Sequence, residues 1–155
     1  MSVAFRRESD EEHKEPKFEL PLPPGPNLVT ERGLALIGDR ITALETDLAA
    51  EQDEEQREQL RRELRYWNTR RATAQIAPVP EEGEVGIGSR VTFVLAGKKR
   101  AIDIVGHDEA DPEAGRIAFS APLALAMMGA AEGERVDFGG KAEAIEVVKV
   151  EAIPE

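Results

Sequence analysis

The sequence predicts an α+β protein, an antiparallel helical hairpin followed by a compact, mostly antiparallel β domain with one short helix. Three observations carry this prediction. Apolar residues recur at spacings of three and four over 34–48 and again over 60–74, the stripe by which one helix packs on another. From residue 85 onward the period changes to two and glycines punctuate the chain, as in short strands joined by turns. The composition is 41% hydrophobic but only 5% aromatic, with 33% charged residues, which supports a modest core beside much solvated surface.

Taken in order, residues 1–27 read as a flexible N-terminal tail, rich in charge and then in proline (Pro21, Pro23, Pro24, Pro26), which fixes φ and withholds backbone donors. Phe5, Phe18, Leu20 and Leu22 could still dock. The hairpin is expected over 28–77. Thr30 is a good N-cap and Val29 stands at the staple position before it. Leu34, Ile37, Ile41, Leu44 and Leu48 form the first stripe. The polar run 51–56 interrupts it, and Asp53 with Gln56 resembles a capping box that starts a second helix near a tip at Asp53. Leu60, Leu64, Trp67 and Ala74 form the second stripe, on which Arg71 would have to snorkel. One uninterrupted helix is the alternative, and the polar break argues against it.

Pro78 and Pro80 end the helix, and 78–84 reads as a linker to a C-terminal domain at 85–155. Strands are expected at 91–95, 100–105, 116–119, 135–138 and 144–150. Gly97-Lys98-Lys99 supplies a first hairpin turn and Gly139-Gly140 a second, with a polar loop at 108–115 between. Pro122 opens a short helix that Gly129 closes.

Composition also excludes function classes. The net charge of −11 repels phosphates, so sequence-specific binding to nucleic acid is not expected. With no cysteine there is no disulfide, thiolate metal site or cysteine nucleophile, which fits a cytoplasmic location. No run of about 18 apolar residues predicts a membrane span, and residues 1–10 do not resemble a signal peptide. His13 and His107 have no nucleophile at a recognisable spacing. Asp108, Glu109 and Asp111 lack the ligand pattern of a calcium loop and read as a solvated turn. Glu51, Asp53, Glu54 and Glu55 would project from the hairpin tip, where they could complete the coordination of a Mg²⁺ that a partner holds, or simply cap a helix.

The run Val105-Gly106-His107-Asp108-Glu109-Ala110-Asp111-Pro112, then Ser120-Ala121-Pro122-Leu123-Ala124, Ala126-Met127-Met128-Gly129 and Glu132-Gly133-Glu134-Arg135-Val136, resembles the second domain of the bacterial Gre (GreA/GreB) transcription elongation factors. That domain carries I-V-G-x-D-E-A-D-P, S-P-L/I-A-x-A-L-x-G and G-D-x-V. Asn27-Leu28-Val29-Thr30-Glu31-Arg32-Gly33-Leu34 is similar to the family's helix start. The resemblance covers about 27–150. It implies an FKBP-like C-terminal domain that docks on a coiled coil of the polymerase β′ subunit at the rim of the secondary channel, with the hairpin entering the channel. Asp108, Glu109, Asp111, Ser120, Pro122 and Leu123 are the implied polymerase-binding residues.

The chain departs from the family pattern in three places. The D-L-S-E-N-A-E-Y tip of the cleavage factors is absent, echoed only by Asp47-Leu48-Ala49-Ala50-Glu51. The hairpin arms are short, about 22 residues or roughly 33 Å. Ala121 replaces the usual serine before the proline, and Leu125 a common arginine. The expectation is therefore a short-hairpin, channel-occupying regulator of RNA polymerase with weak or no transcript-cleavage stimulation, not an enzyme in itself. It needs no cofactor of its own beyond a possible shared Mg²⁺ in the polymerase active site, and a monomer is expected. The alternative is a genuine cleavage factor in which Asp53 and Glu54 serve the polymerase's Mg²⁺. A regulator of nucleoside diphosphate kinase type, an FKBP-like prolyl isomerase and self-association through the hairpin stripes are further alternatives.

Overall fold

The computed structural model describes residues 19–154; the expectations for 1–18, His13 among them, lie outside the described residues. The chain forms two compact units. One comprises Ile37–Thr73 with 19–24, and the other comprises Gly25–Leu36 with Ala74–Glu155.

The first unit is the hairpin. Helix α1 spans Glu31–Ala50 and helix α2 spans Glu54–Thr73, each 20 residues long. Ile37, Ile41 and Leu44 of α1 are buried, as their spacing predicts, and each such burial is worth about 1.5–3 kcal/mol. Leu48, Leu60, Leu64 and Trp67 are half-buried, and Arg40 lies over the Trp67 ring at 5.7 Å. The arginine taken into the hairpin is Arg70, which is buried; Arg71, expected on the stripe, is exposed. Stripe positions three and four residues beyond Trp67 both fall near the seam, and packing selects the first.

At the tip Asp53 caps α2, its Oδ2 accepting from Gln56 N at 3.0 Å. Glu51 Oε2 accepts from Asp53 N at 3.1 Å, the reciprocal bond that the sequence assigned to Gln56. Arg57 donates to Leu48 O at 2.7 Å and Glu51 O at 2.9 Å, which satisfies two carbonyls left open at the end of α1. Glu19 grips the Arg65 guanidinium through three bonds of 2.8–3.1 Å, and that hydrogen bonding holds its carboxyl below the ordinary carboxylate range.

In the second unit, strands β1 (Leu28–Val29) and β2 (Gln75–Ile76) form a parallel ladder at the two ends of the α1–α2 stretch. Gln75 N donates to Asn27 O and Ala77 N to Val29 O, both at 2.9 Å. The unit therefore claims both flanks of the expected 28–77 hairpin as well as the first turn of α1. The sheet contains β3 (Ser89–Leu95), β4 (Lys98–Val105), β5 (Arg116–Ala118), β6 (Arg135–Phe138) and β7 (Lys141–Ala152), in the order β5-β4-β3-β7-β6.

The sheet is mixed. Three pairs are antiparallel, but β4 and β5 run parallel, with Val105 opposite Ala118. A wholly antiparallel sheet fails here because the chain crosses over through two 3₁₀ turns, at His107–Glu109 and Pro112–Ala114, rather than through a tight hairpin. Helix α3 (Pro122–Met127) lays Ala124 and Met127 into a core formed with Val91, Phe93, Ile102, Ile104, Ile145 and Val147. On the strands, Arg90 and Asp103 face each other across the β3–β4 ladder and join bidentately at 2.7 and 3.1 Å, which raises the Arg90 pKa.

The β3–β4 turn is Ala96-Gly97, one residue earlier than the sequence suggests. Both residues have positive φ, 53° and 78°, as a two-residue type I′ turn demands. Alanine is costly in that region and glycine is not. Ala96→Gly is therefore expected to stabilise the domain by about 0.5–1 kcal/mol; unchanged amide-exchange protection of the β3 and β4 amides would show that the turn carries no such strain.

Candidate functional site

The residues expected to contact a partner lie on the segments that leave β4 and β5. Because these strands are parallel and end in register, the chain beyond Val105 and the chain beyond Ala118 emerge side by side. His107 and Ser120, each two residues past a registered position, meet across the gap with Nε2 and Oγ 2.7 Å apart. The His107 ring also packs on Phe119 with centroids 4.9 Å apart. Spacing along the chain gave no sign of this pair, which only the parallel register creates.

Glu109 is placed differently from the expectation of a solvated, partner-facing acid. It is 7% exposed and turned inward. Its Oε1 accepts from the Thr30 hydroxyl at 2.6 Å, and its Oε2 from Arg32 Nη1 at 2.8 Å. Thr30 Oγ1 in turn accepts from Gly33 N at 2.9 Å as the N-cap of α1. The carboxylate thus lies over the first turn of a helix, where unpaired N–H groups favour negative charge. Two glycines make room for this clasp. A Cβ on Gly33 would stand 2.8 Å from Glu109 Oε1, and one on Gly106 would stand 2.6 Å from Leu28 O.

The other expected contact residues are spread around the clasp. Asp111 and Pro122 are exposed, Asp108 is half-buried, and Leu123 packs partly against the core. Asp111 exchanges backbone hydrogen bonds with Arg116, at 2.8 and 3.0 Å, and this fixes the loop. Ala121 occupies the N-cap of α3 with no side-chain bond, since alanine carries no oxygen to accept one. Leu125 is 59% exposed.

At the hairpin tip the two acids singled out for metal chemistry are already engaged. Asp53 caps α2, and Glu54 pairs with Arg61 at 3.1 Å. Among the described residues no three acidic or histidine side chains converge where they could hold a metal ion. No described helix is long and apolar enough to cross a membrane.

Three substitutions test the clasp and the vacant cap. Glu109→Ala leaves the Thr30 hydroxyl and Arg32 without their acceptor and should cost about 1–3 kcal/mol, read as lost exchange protection in the β1–β2 ladder and the first turn of α1; Glu109→Gln, which keeps an acceptor, should lose less. Equal loss in both would place the effect in charge rather than in hydrogen bonding. Ala121→Ser should stabilise α3 by about 0.5–2 kcal/mol, measured as slower exchange at the amides of Leu123 and Ala124; no change would mean that the cap is satisfied otherwise.

Comparison with known proteins places the domain. Residues 80–153 match the family described as "Transcription elongation factor, GreA/GreB, C-term". The chain is 34% identical over 96 residues to transcription elongation factor GreA of Vibrio parahaemolyticus, a match covering 59% of this chain and 61% of that protein. With transcription elongation factor GreA of Legionella pneumophila (strain Corby) it shares 36% identity over 85 residues, 52% of each. These matches span about half to three fifths of the length of those relatives. Among solved structures, GreA factor homolog 1 of Thermus thermophilus superposes with a TM-score of 0.38 at 16% identity, over 83% of this chain and all of that one. Residues 80–153 are thus similar to the C-terminal domain of the GreA/GreB transcription elongation factors.

Proposed function

We propose that this protein binds bacterial RNA polymerase and acts at the secondary channel, docking through the C-terminal domain on the β′ coiled coil and occupying the channel with its hairpin. It stimulates transcript cleavage weakly or not at all. It is a regulator of the polymerase in the cytoplasm rather than an enzyme with its own active site. The docking residues are Asp108, Asp111, Ser120, Pro122 and Leu123, on the paired segments beyond β4 and β5. Glu109 belongs to a different class: buried against Thr30 and Arg32, it is a positioning residue that holds the first turn of α1 beneath the docking loop.

The observation that carries the reading is the state of the tip. A carboxylate that is to share a Mg²⁺ must reach about 2.0–2.1 Å from the ion with lone pairs to spare. At this tip Asp53 and Glu51 each accept a backbone N–H group and Glu54 pairs with Arg61 at the surface, roles that tie the three acids to the helix ends. The arms of 20 residues, roughly 30 Å each, also bound how far those acids extend.

The deciding measurement is RNA cleavage by backtracked elongation complexes of the cognate polymerase, with Mg²⁺ and with or without the protein. Cleavage is expected to stay at the intrinsic rate, while rising amounts of the protein suppress the action of a cleavage-competent Gre factor. The double variant Asp53→Asn, Glu54→Gln should behave as wild type in both assays. Strong stimulation that this double variant abolishes would overturn the reading and make the chain a genuine cleavage factor. Absence of competition would remove the proposed docking.

A further inference from the structure

The second unit carries a concave surface on the far side of the Glu109 clasp from the exposed docking residues. It is a groove of about 690 Å³ bounded by the extended segment 76–84, the end of β7 and the first turn of α1. None of Asp108, Asp111, Ser120, Pro122 or Leu123 lines it; of that loop only Glu109, buried against Thr30 and Arg32, reaches its wall.

The walls are apolar: Ile76, Val79, Ile87, Val150 and Ile153 all contribute. Val79 is 92% exposed and Ile76 49%, and such an apolar patch rimmed by polar groups marks an interaction surface. Pro78, Pro80 and Pro154 restrict the backbone around it, so little conformational freedom is left to lose on binding.

The rim tells what the groove accepts. Five exposed carboxylates stand there (Glu31, Glu81, Glu82, Glu84 and Glu151, the last paired with Lys149 at 3.7 Å) against the single guanidinium of Arg32, whereas the whole chain holds 31 acidic against 20 basic residues. Arg32 is already matched by Glu109 at 2.8 Å. Among the described residues no ion pair engages Glu31, Glu81, Glu82 or Glu84. Negative charge at the edge of a low-dielectric surface draws cations, and lysine and arginine suit such an edge because their aliphatic stems lie along apolar walls while their heads stay wet. A nucleic acid would be repelled, and a neutral apolar ligand would leave the rim unused.

We propose that this groove is the docking site for a basic, extended segment of a partner protein, in which apolar residues alternate with Lys or Arg. The apolar side chains fill the space between Val79, Ile87 and Ile153, and the cations reach Glu31 and the Glu81, Glu82 and Glu84 carboxylates.

The test is a titration of the full-length, ¹⁵N-labelled protein with two short capped peptides of equal length, one alternating Leu with Arg and the other Leu with Glu. The expected result is amide shifts concentrated at 76–89 and 150–154 with the Leu/Arg peptide alone, weakened by added salt. Affinity should fall about tenfold or more in the variant Glu81→Lys, Glu82→Lys, Glu84→Lys, whose spectrum elsewhere stays native, and likewise in Val79→Asp. Equal binding of the Leu/Glu peptide, or shifts elsewhere or none, would overturn the proposal. Groove shifts that follow protein concentration without peptide would assign the surface to a second copy. Groove shifts that appear on deletion of residues 1–18 would assign it to the chain's own N-terminal segment. Either result also overturns the proposal.

Discussion

The inward carboxylate of Glu109 is the constraint around which the C-terminal unit is assembled. Taking a carboxylate out of water costs several kcal/mol unless partners replace the lost hydration. Here the Thr30 hydroxyl and the Arg32 guanidinium do so, at 2.6 and 2.8 Å. Those partners lie more than 75 residues earlier in the chain, so the bonds close a long loop and bind the start of α1 to the turn after β4. The β1–β2 ladder closes the same loop from its other end, through Gln75 N and Ala77 N. The chain thus leaves and re-enters this unit at adjacent points, and the whole hairpin is an excursion between them.

That arrangement explains why a motif that reads as acidic surface is half interior. Of the four residues Asp108 to Asp111, Glu109 is spent on the clasp, while Asp111 is exposed and fixed only through its backbone. The glycine before the run, Gly106, lies where any side chain would strike Leu28 O. The same stretch therefore does two things: it secures the start of α1 and it presents what remains of itself to solvent. The parallel pairing of β4 and β5 brings the second segment, from Ser120 to Leu123, to the same edge, and the His107–Ser120 contact ties the two together.

The hairpin tip is governed by different chemistry. Its acids answer the needs of helix ends, with Asp53 and Glu51 accepting N–H groups and Arg57 donating to carbonyls. Acids engaged in this way hold the helix ends together at the end of arms 20 residues long. The family-model match covers residues 80–153 and so leaves the role of the hairpin to experiment.

Much of this was legible in the sequence, because it depends on neighbours along the chain. The stripes from Leu34 to Leu48 and from Leu60 to Trp67 gave two helices, Thr30 and Asp53 gave their caps, and the period-two segments gave five strands, all through local periodicity and local hydrogen bonds. The motif around Val105 to Pro112 carried a resemblance that the match of residues 80–153 bears out for the C-terminal domain. Tertiary structure alone decided which way Glu109 faces, which of Arg70 and Arg71 is buried, that β4 and β5 run parallel, and that His107 meets Ser120. Each of these joins residues far apart in sequence, or turns on which of two neighbouring positions the packing admits. A charged residue reads the same in sequence whether its partner is water or a distant hydroxyl, and only the folded chain determines which one it meets.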